Sequence, residues 1–318
     1  MVKKKPSLHF VKAINVELTY ECNMSCPHCL QHEFRKQGAN SWVNTESVIR
    51  CMKEGQELGF TDSGVNFTGG EPFLGGSNLP ERLKAAKCLG LDVRVNTNGW
   101  WGGRQDINIG SEYFSSGRQV VKWLKRQDIA LLALSLDQRY ERNVVLLNSV
   151  LSVMQECEEQ GLYYQLIHTR SLQTESTHFW QRLEQEKKIR FDYMIPVNME
   201  MVDLGEASGS DNINIESQMH CGGKGFYRPQ FLHVNPSGGA RTCMYASGSS
   251  WLGNINHESL NEIADKFYNN VVVEFFSSNC DARSNLVEQI YSRKDNHLPK
   301  HPCALAVKIA KDIELKKK

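Results

Sequence analysis

The chain has 318 residues, and the 40% of them that are hydrophobic supply enough apolar material for a sizeable core. Lys and Arg number 37 and Asp and Glu number 36, so the net charge of +1 gives no overall attraction to nucleic acid or to an anionic membrane. The sequence contains no run of about 18 apolar residues, so it predicts no membrane-spanning helix. It also lacks the continuous apolar segment that would predict a signal peptide. With 10 cysteines and no leader, we expect reduced thiols and a cytoplasmic protein.

Segments of strand and helix character alternate along the first two-thirds of the chain. Short apolar runs predict strands at residues 12–20, 63–67, 91–97, 129–136, 163–169 and 191–197. The longer segments between them predict helices at residues 44–60, 78–90, 117–127, 143–161 and 175–188. Asn44 or Thr45 is expected to cap the first of these helices.

This alternation predicts an α/β fold. About six β/α units, with strands apolar enough to be buried on both faces, predict a partial (β/α)6 TIM-type barrel at residues 13–209. The polar, Gly- and Ser-rich residues 208–214 predict a boundary before a second, smaller domain at residues 217–318. That domain is expected to contain a β-hairpin, with its turn at Asn235 to Gly239, and a helix. In parallel barrels the chemistry lies at the C-terminal ends of the strands, where the motifs below fall.

Three cysteines follow the first predicted strand. Cys22, Cys26 and Cys29 have the spacing C-x3-C-x2-C, with no fourth thiol beside them. Such a loop can hold three irons of a [4Fe–4S] cluster and leave one iron open to a chelating small molecule, whereas ferredoxin runs supply four cysteines. A zinc-bearing interaction module without redox activity is the alternative. Zinc requires a fourth ligand, and His28 is poorly placed for that role because it adjoins Cys29.

The cysteine loop and the segment TGGEP at Thr68–Pro72 together resemble the radical S-adenosylmethionine (SAM) enzymes. The resemblance covers residues 13–209 and places the two motifs at the ends of the first and second strands. It implies that the open iron binds the amino and carboxylate groups of SAM. It also implies that an electron from the cluster splits SAM into methionine and a 5′-deoxyadenosyl radical, which removes a hydrogen atom from a substrate C–H bond.

The resemblance implies a set of SAM-binding residues at the strand ends. Gly69 and Gly70 allow close approach of the backbone to a ligand, and Glu71 can accept hydrogen bonds from an ammonium group. The other residues implied for SAM are His28, Asn96, Asn98, Ser135, Asp137 and Thr169.

Several of these residues also have ordinary structural explanations. Asn98-Gly99 by itself favours a turn. Ser135 and Asp137 precede a predicted helix and equally suit a helix cap. Without the resemblance, the segment GGE is an ordinary loop.

The C-terminal third carries four further cysteines, Cys221, Cys243, Cys280 and Cys303. Their scatter around a hairpin resembles the twitch domain of some radical SAM enzymes, a shortened SPASM domain, and implies a second [4Fe–4S] cluster. One departure is Ala306, which stands where a CxxC pair would have its second cysteine. The fourth ligand is therefore Cys280, or no protein residue, or the cluster does not exist. In that last case these cysteines are buried small hydrophobes.

Enzymes with such auxiliary domains act on ribosomally made peptides or on sugars and aminocyclitols in natural-product biosynthesis. The segments NGWWG and SLD, the latter followed by Tyr140, resemble those of peptide epimerases. Peptide modification by epimerisation, crosslinking or oxidation is therefore the favoured prediction. Epimerisation needs a hydrogen donor, and Cys243 or Cys280 would be the catalytic thiol if it does not bind iron.

A radical dehydrogenase or epimerase of a small natural-product intermediate is the alternative. Only about ten residues precede the first predicted strand, so we expect no N-terminal leader-binding domain. The expected partners are the substrate and an electron donor such as flavodoxin or ferredoxin, with no nucleic acid and no membrane.

Overall fold

A computed structural model of the protein describes residues 11–26, 29–31, 34–35, 41–136, 140, 143–170, 189–200, 231–242, 252–267, 270, 308–309 and 312. Side chains are described for all of these except residues 168–170 and 196–200. Within these residues strands and helices alternate, which confirms the predicted α/β class.

The predicted strands and helices appear in the expected order along the described residues. The strands are β1 (Ala13–Glu17), β2 (Val65–Thr68), β3 (Val93–Thr97), β4 (Ile107–Ile109), β5 (Glu112–Phe114), β6 (Leu131–Ser135), β7 (Tyr164–Arg170), β8 (Met194–Glu200), β9 (Phe231–Val234), β10 (Gly239–Arg241) and β11 (Gly253–Asn254). The helices are α1 (Thr45–Glu57), α2 (Leu79–Cys88), α3 (Gly117–Arg126), α4 (Val144–Gln160) and α5 (Leu260–Lys266). The predicted helix at 175–188 lies outside the described residues.

A sheet of nine strands organises the molecule. Its order is β11-β10-β9-β1-β2-β3-β6-β7-β8, and neighbours from β9 through to β8 run parallel. The described strands leave β11 and β8 at the two edges and do not close into a ring. The prediction of a partial TIM-type barrel is confirmed.

Local sequence signals explain where the helices begin and end. The Asn44 side chain caps α1 by accepting a hydrogen bond of 2.9 Å from the Ser47 N–H, as predicted. Helix α4 begins after Asn143, whose side chain accepts from the Leu146 N–H, and ends at Gly161 in the left-handed conformation. Helices α1 and α2 pack together, as do α3 and α4.

The two faces of the parallel strands differ in chemistry. Alternate residues such as Val16, Phe67 and Leu134 are fully buried in the core cluster that includes the helices. The intervening residues lie on the opposite face, which we call the inner face, and many of them are polar. The inner-face residues used below are Asn15, Glu17, Asn66, Arg94, Asn96 and Gln165.

The predicted hairpin at the start of the C-terminal part is confirmed. Strands β9 and β10 pair antiparallel, and the Asn235 side chain organises the turn by accepting from the N–H groups of Ser237 and Gly239. Strand β9 also pairs in parallel with β1, so the hairpin extends the sheet. The division into domains at 13–209 and 217–318 stays a prediction.

The structure adds one hairpin that the sequence analysis did not predict. Strands β4 and β5 pair antiparallel between β3 and α3. In the part of the chain that is described, no helix has both the length and the hydropathy needed to cross a membrane.

Candidate functional site

A cavity of about 240 Å³ opens at the C-terminal ends of the parallel strands. It is lined by residues from the segments after β1, β2 and β3, together with residues of β6 and β7. These residues are Cys22, Met24, Cys26, Cys29, Leu30, Gln31, Arg35, Thr68, Gly69, Gly70, Asn96, Thr97, Asn98, Ser135, Tyr140 and Ile167. The structure thus brings together eight of the residues that the sequence analysis assigned to the cluster or to SAM.

The three cysteines lie on one loop at the mouth of this cavity. The side chains of all three are half-buried. The loop is folded by its own backbone, because the Cys29 N–H donates to the Cys26 carbonyl at 3.1 Å and the Met24 N–H donates to Cys22 Sγ at 3.4 Å. Three thiols therefore point at one cavity from a short stretch of chain.

The glycines of TGGEP hold this segment against the cysteine loop. The Gly70 N–H donates to the Thr19 carbonyl at 2.6 Å, and the Glu71 N–H donates to the Glu21 carbonyl at 2.8 Å. A Cβ atom at Gly69 would overlap the Thr19 carbonyl oxygen, and one at Gly70 would overlap that of Glu21. Gly69 also has a φ of 129°, which favours glycine. The two glycines therefore let the backbone of this segment lie close to the cysteine loop as well as to the cavity.

The Glu71 side chain lies beneath the cavity and is not among the residues that line it. Its exposed fraction is 0%, and it accepts hydrogen bonds from the Phe73 N–H at 3.0 Å, the Thr97 hydroxyl at 2.8 Å and the Asn98 N–H at 2.8 Å. Burial raises the pKa of Glu71 to about 7, although these hydrogen bonds favour the charged form. In this arrangement its carboxylate joins the loop after β2 to the loop after β3.

Asn98 connects the turn after β3 to the cysteines. Its Oδ1 accepts from the Trp100 N–H at 3.0 Å, so the predicted turn is present. Its Nδ2 donates to Asn23 Oδ1 at 2.8 Å and lies 3.8 Å from Cys22 Sγ. The Tyr140 hydroxyl donates to the Asn98 carbonyl at 3.2 Å, so this residue too supports the turn.

Asn96 and Ser135 face the cavity from the ends of β3 and β6. Asn96 Oδ1 is buried and has no hydrogen-bond partner among the described residues. Such an atom suits a donor of a bound ligand, since an unmet buried acceptor is unfavourable. Ser135 does not cap α4, because Asn143 does.

A buried ion pair supports the cysteine loop from the other side. Arg241 on β10 donates to Glu17 Oε2 at 2.5 Å, and the two side chains are 0% and 4% exposed. Glu17 also accepts from the Tyr20 hydroxyl at 3.2 Å and from Gln31 Nε2 at 3.0 Å. Because Tyr20 precedes Cys22 and Gln31 follows Cys29, Glu17 holds both ends of the loop.

The donor set of the loop fits an iron–sulfur cluster. Among the described residues, no group of three or more His, Cys, Asp or Glu side chains is arranged to hold a single metal ion. A four-iron cluster makes a different demand, because each thiolate binds its own iron. In the metal-free site, burial and the neighbouring Glu71 raise the pKa of the Cys22 thiol to about 12, so cluster binding would release a proton from it.

Residues 16–151 match the model of the Radical SAM superfamily. This part of the chain is similar to radical SAM domains. It contains the three cysteines, the TGGEP segment and the turn after β3. The match supports a radical SAM enzyme, with a [4Fe–4S] cluster and SAM as its cofactors and with a reductant and a substrate as its partners.

Several predicted site residues lie outside the described part of the chain. They are His28, Asp137, Cys221, Cys243, Cys280 and Cys303, and the side chain of Thr169 on β7 is also outside it. Their roles, the second cluster and the twitch-like domain stay predictions.

Sequence reasoning missed some of the residues that line the cavity. Met24, Gln31 and Arg35 lie within or just after the cysteine loop, and that proximity was the available signal. It also missed Glu17 and Arg241, which lie far apart in the chain.

Proposed function

We propose that this protein holds a [4Fe–4S] cluster on Cys22, Cys26 and Cys29 and cleaves SAM reductively in the adjoining cavity. We propose further that the resulting radical takes a hydrogen atom from a ribosomally made peptide. The observation that carries the proposal is the convergence of the three thiols with Gly69 and Gly70 on one cavity at the strand ends. The similarity to radical SAM domains supports it independently.

The chemistry that the cluster and SAM supply when bound is one-electron cleavage of the C5′–S bond, which gives methionine and a 5′-deoxyadenosyl radical. The residues of this chain have positioning roles. Asn98 and Glu17 hold the cysteine loop, and Glu71 fixes the two loops that border the cavity. Asn96 and Ser135 offer polar atoms to the cofactor.

The peptide part of the proposal is supported by the resemblance of NGWWG and SLD to segments of peptide epimerases. In the structure Trp101 is 0% exposed and packs on Phe73, so this tryptophan has a core role. The second candidate is a small natural-product intermediate. The observation that favours it is the polar inner face of the sheet, which suits a compact polar molecule.

The first test is the formation of 5′-deoxyadenosine by protein reconstituted without oxygen and supplied with SAM and a reductant. Replacing any one of Cys22, Cys26 or Cys29 by Ala should reduce 5′-deoxyadenosine at least about a hundredfold, because a missing thiolate leaves an iron without its ligand. The matched control is Cys88→Ala, since Cys88 is an exposed thiol on α2. Retained formation in the three loop variants would refute the assignment of the cluster.

The second test concerns the substrate and uses synthetic peptides in deuterated water. Epimerisation should add about one mass unit at a Cα atom, because the thiol exchanges its hydrogen with the solvent and then returns a deuterium atom to the carbon radical. Loss of two hydrogens without deuterium uptake would exclude epimerisation and favour crosslinking or oxidation. Turnover of small polyols with none of the peptides would favour the second candidate.

A further inference from the structure

We propose that Arg94, on the inner face directly below the cofactor cavity, binds an anionic group of the substrate. The substrate is then an acid, bearing a carboxylate or a phosphate. This inference rests on the proposed function and deepens it by naming the chemical class of the molecule that the radical attacks.

The position of Arg94 follows from the alternation of β3. Val93, Val95 and Thr97 are buried, whereas Arg94 and Asn96 lie on the inner face. Asn96 lines the cavity, and Arg94 is two residues earlier on the same face, which places its Cα atom roughly 7 Å deeper. A molecule held at Arg94 therefore lies next to the cavity and not at a distant surface.

The guanidinium of Arg94 is largely buried without a counterion among the described residues. Its one hydrogen-bond partner there is Gln165 Oε1, at 2.6 Å, and its Nε atom is buried without a partner. Burial lowers the pKa of Arg94 to about 10, and no carboxylate in the described part of the chain opposes that effect. A pKa of about 10 still leaves the group a cation at neutral pH. A buried cation is unfavourable unless an anion pairs with it.

The neighbours of Arg94 across the sheet are neutral. Asn66 is its register partner on β2 and donates to Asn15 Oδ1, and Asn15 in turn lies 3.0 Å from His233 Nδ1. Burial and the nearby Arg241 lower the pKa of His233, which keeps that ring uncharged. None of these three side chains carries a negative charge that could pair with Arg94.

The surroundings also offer a hydrogen-bond acceptor to a ligand. Asn66 Oδ1 is buried without a partner among the described residues, so it can accept from an N–H or O–H of the same ligand. The site thus offers a cation and a neutral acceptor to one polar acid.

Arg241 shows what a structural arginine looks like in this protein. It is also buried on the sheet, but it is paired with Glu17 at 2.5 Å. Arg94 is half-buried and has no such pair among the described residues. The planar guanidinium of an arginine can donate to two oxygens of one carboxylate or phosphate. The partner of Arg94 must therefore present two such oxygens.

The test is calorimetric titration of the full-length protein, reconstituted and saturated with SAM in the absence of reductant. The two probes are succinate and inorganic phosphate. One of them should bind the wild type at a single site, and Arg94→Gln should weaken that binding at least about tenfold through loss of the charge-assisted hydrogen bonds. Which probe binds distinguishes a carboxylate substrate from a phosphate one.

The matched control is Arg104→Gln, because Arg104 is an exposed arginine that stacks on Trp100. It should bind the probe as the wild type does. Arg94→Lys keeps the charge without the fork and should give an intermediate affinity, which keeps the proposal testable if Arg94→Gln does not fold. Folding is checked by circular dichroism and by iron content.

Equal binding of the probe to the wild type and to the folded Arg94→Gln protein would overturn the proposal, as would the absence of binding of both probes to the wild type. No reductant is present, so the result does not depend on cleavage of SAM. Protein that binds the anion through Arg94 but never forms 5′-deoxyadenosine would refute the proposed function alone. Protein that forms 5′-deoxyadenosine but binds no anion at Arg94 would refute this inference alone.

Discussion

Two buried glutamates border the cysteine loop, and they are satisfied in different ways. Glu17, at the end of β1, is paired with the cation of Arg241 and also accepts from Tyr20 and Gln31. Among the described residues, Glu71, after β2, has neutral donors alone, which are two backbone N–H groups and the Thr97 hydroxyl. Glu17 therefore depends on a distant charge, whereas Glu71 depends on the local folding of two loops.

The comparison shows two ways in which a buried carboxylate can hold the cysteine loop in one conformation. A buried ion pair contributes orientation but is strongly destabilising when one partner is lost. A carboxylate held by neutral donors is less costly to disturb, but its charge state then responds to pH. The two supports should consequently fail under different conditions.

Glu17→Gln should have the largest effect on stability. It leaves Arg241 buried without its carboxylate, so the free energy of unfolding should fall by about 3–5 kcal/mol. Anaerobic urea unfolding followed by circular dichroism measures this change. The exposed pair of Lys12 and Asp62 is the matched control, and Asp62→Asn should cost less than about 1 kcal/mol.

The double variant Glu17→Gln with Arg241→Met should recover much of this loss, because no buried charge is left unpaired. If the loss in the double variant equals the sum of the losses in Glu17→Gln and Arg241→Met, the two residues are not energetically coupled.

The pH dependence of the Glu71 support should have the next largest effect. In the metal-free chain the folded carboxyl keeps its proton up to a pKa of about 7, while the unfolded carboxyl loses it near the ordinary value of 4.5. The contribution of Glu71 to stability should therefore fall as pH rises from about 4.5 to 7, by at most about 3 kcal/mol, and stay constant above that range. The measurement is the free energy of unfolding at each pH for wild type and Glu71→Gln. A difference between them that is flat or rises over this range would contradict the raised pKa.

Thr97→Val should have the smallest effect of the three. It removes the hydroxyl that donates to Glu71 at 2.8 Å and that accepts from the Gly99 N–H and the Trp101 indole N–H, so the free energy of unfolding should fall by about 2 kcal/mol. The same hydrogen bond favours the charged carboxylate, so its loss should raise the pKa of Glu71, which infrared difference titration can follow. Ser152→Ala on the exposed face of α4 is the control and should change neither quantity. An unchanged Glu71 titration in Thr97→Val would show that the hydroxyl does not stabilise the carboxylate.

Local signals made much of the fold predictable. Asn44 and the apolar runs that became β1, β2, β3, β6 and β7 carry their structure in neighbouring residues. The β4–β5 hairpin was missed because strands of three residues are too short for a periodic pattern. In the site, the cysteine spacing and the TGGEP segment are equally local, so their meeting at one cavity followed from the parallel order of the strands.

Contacts between distant residues were not predictable from one sequence. Glu17 and Arg241 are 224 positions apart, and nothing near either residue indicates the other. The hydrogen bonds that the Glu71 carboxylate accepts from Thr97 and Asn98 join two loops that are also distant in the chain, whereas its predicted role in binding SAM stays a prediction. A single sequence does not distinguish an acidic residue that binds a ligand from one that holds a loop in place by hydrogen bonds.

The pairing of β9 with β1 affects how the protein is made. Asn15 and His233, which meet across these strands, are 218 positions apart, so a ribosome adding roughly 5–20 residues per second needs about 10–45 s to deliver the second after the first. Throughout that interval the nascent chain has the cysteine loop but neither the neighbouring strand nor Arg241. The loop therefore takes its final form late in synthesis, which sets the earliest moment at which assembly machinery meets a finished cluster site.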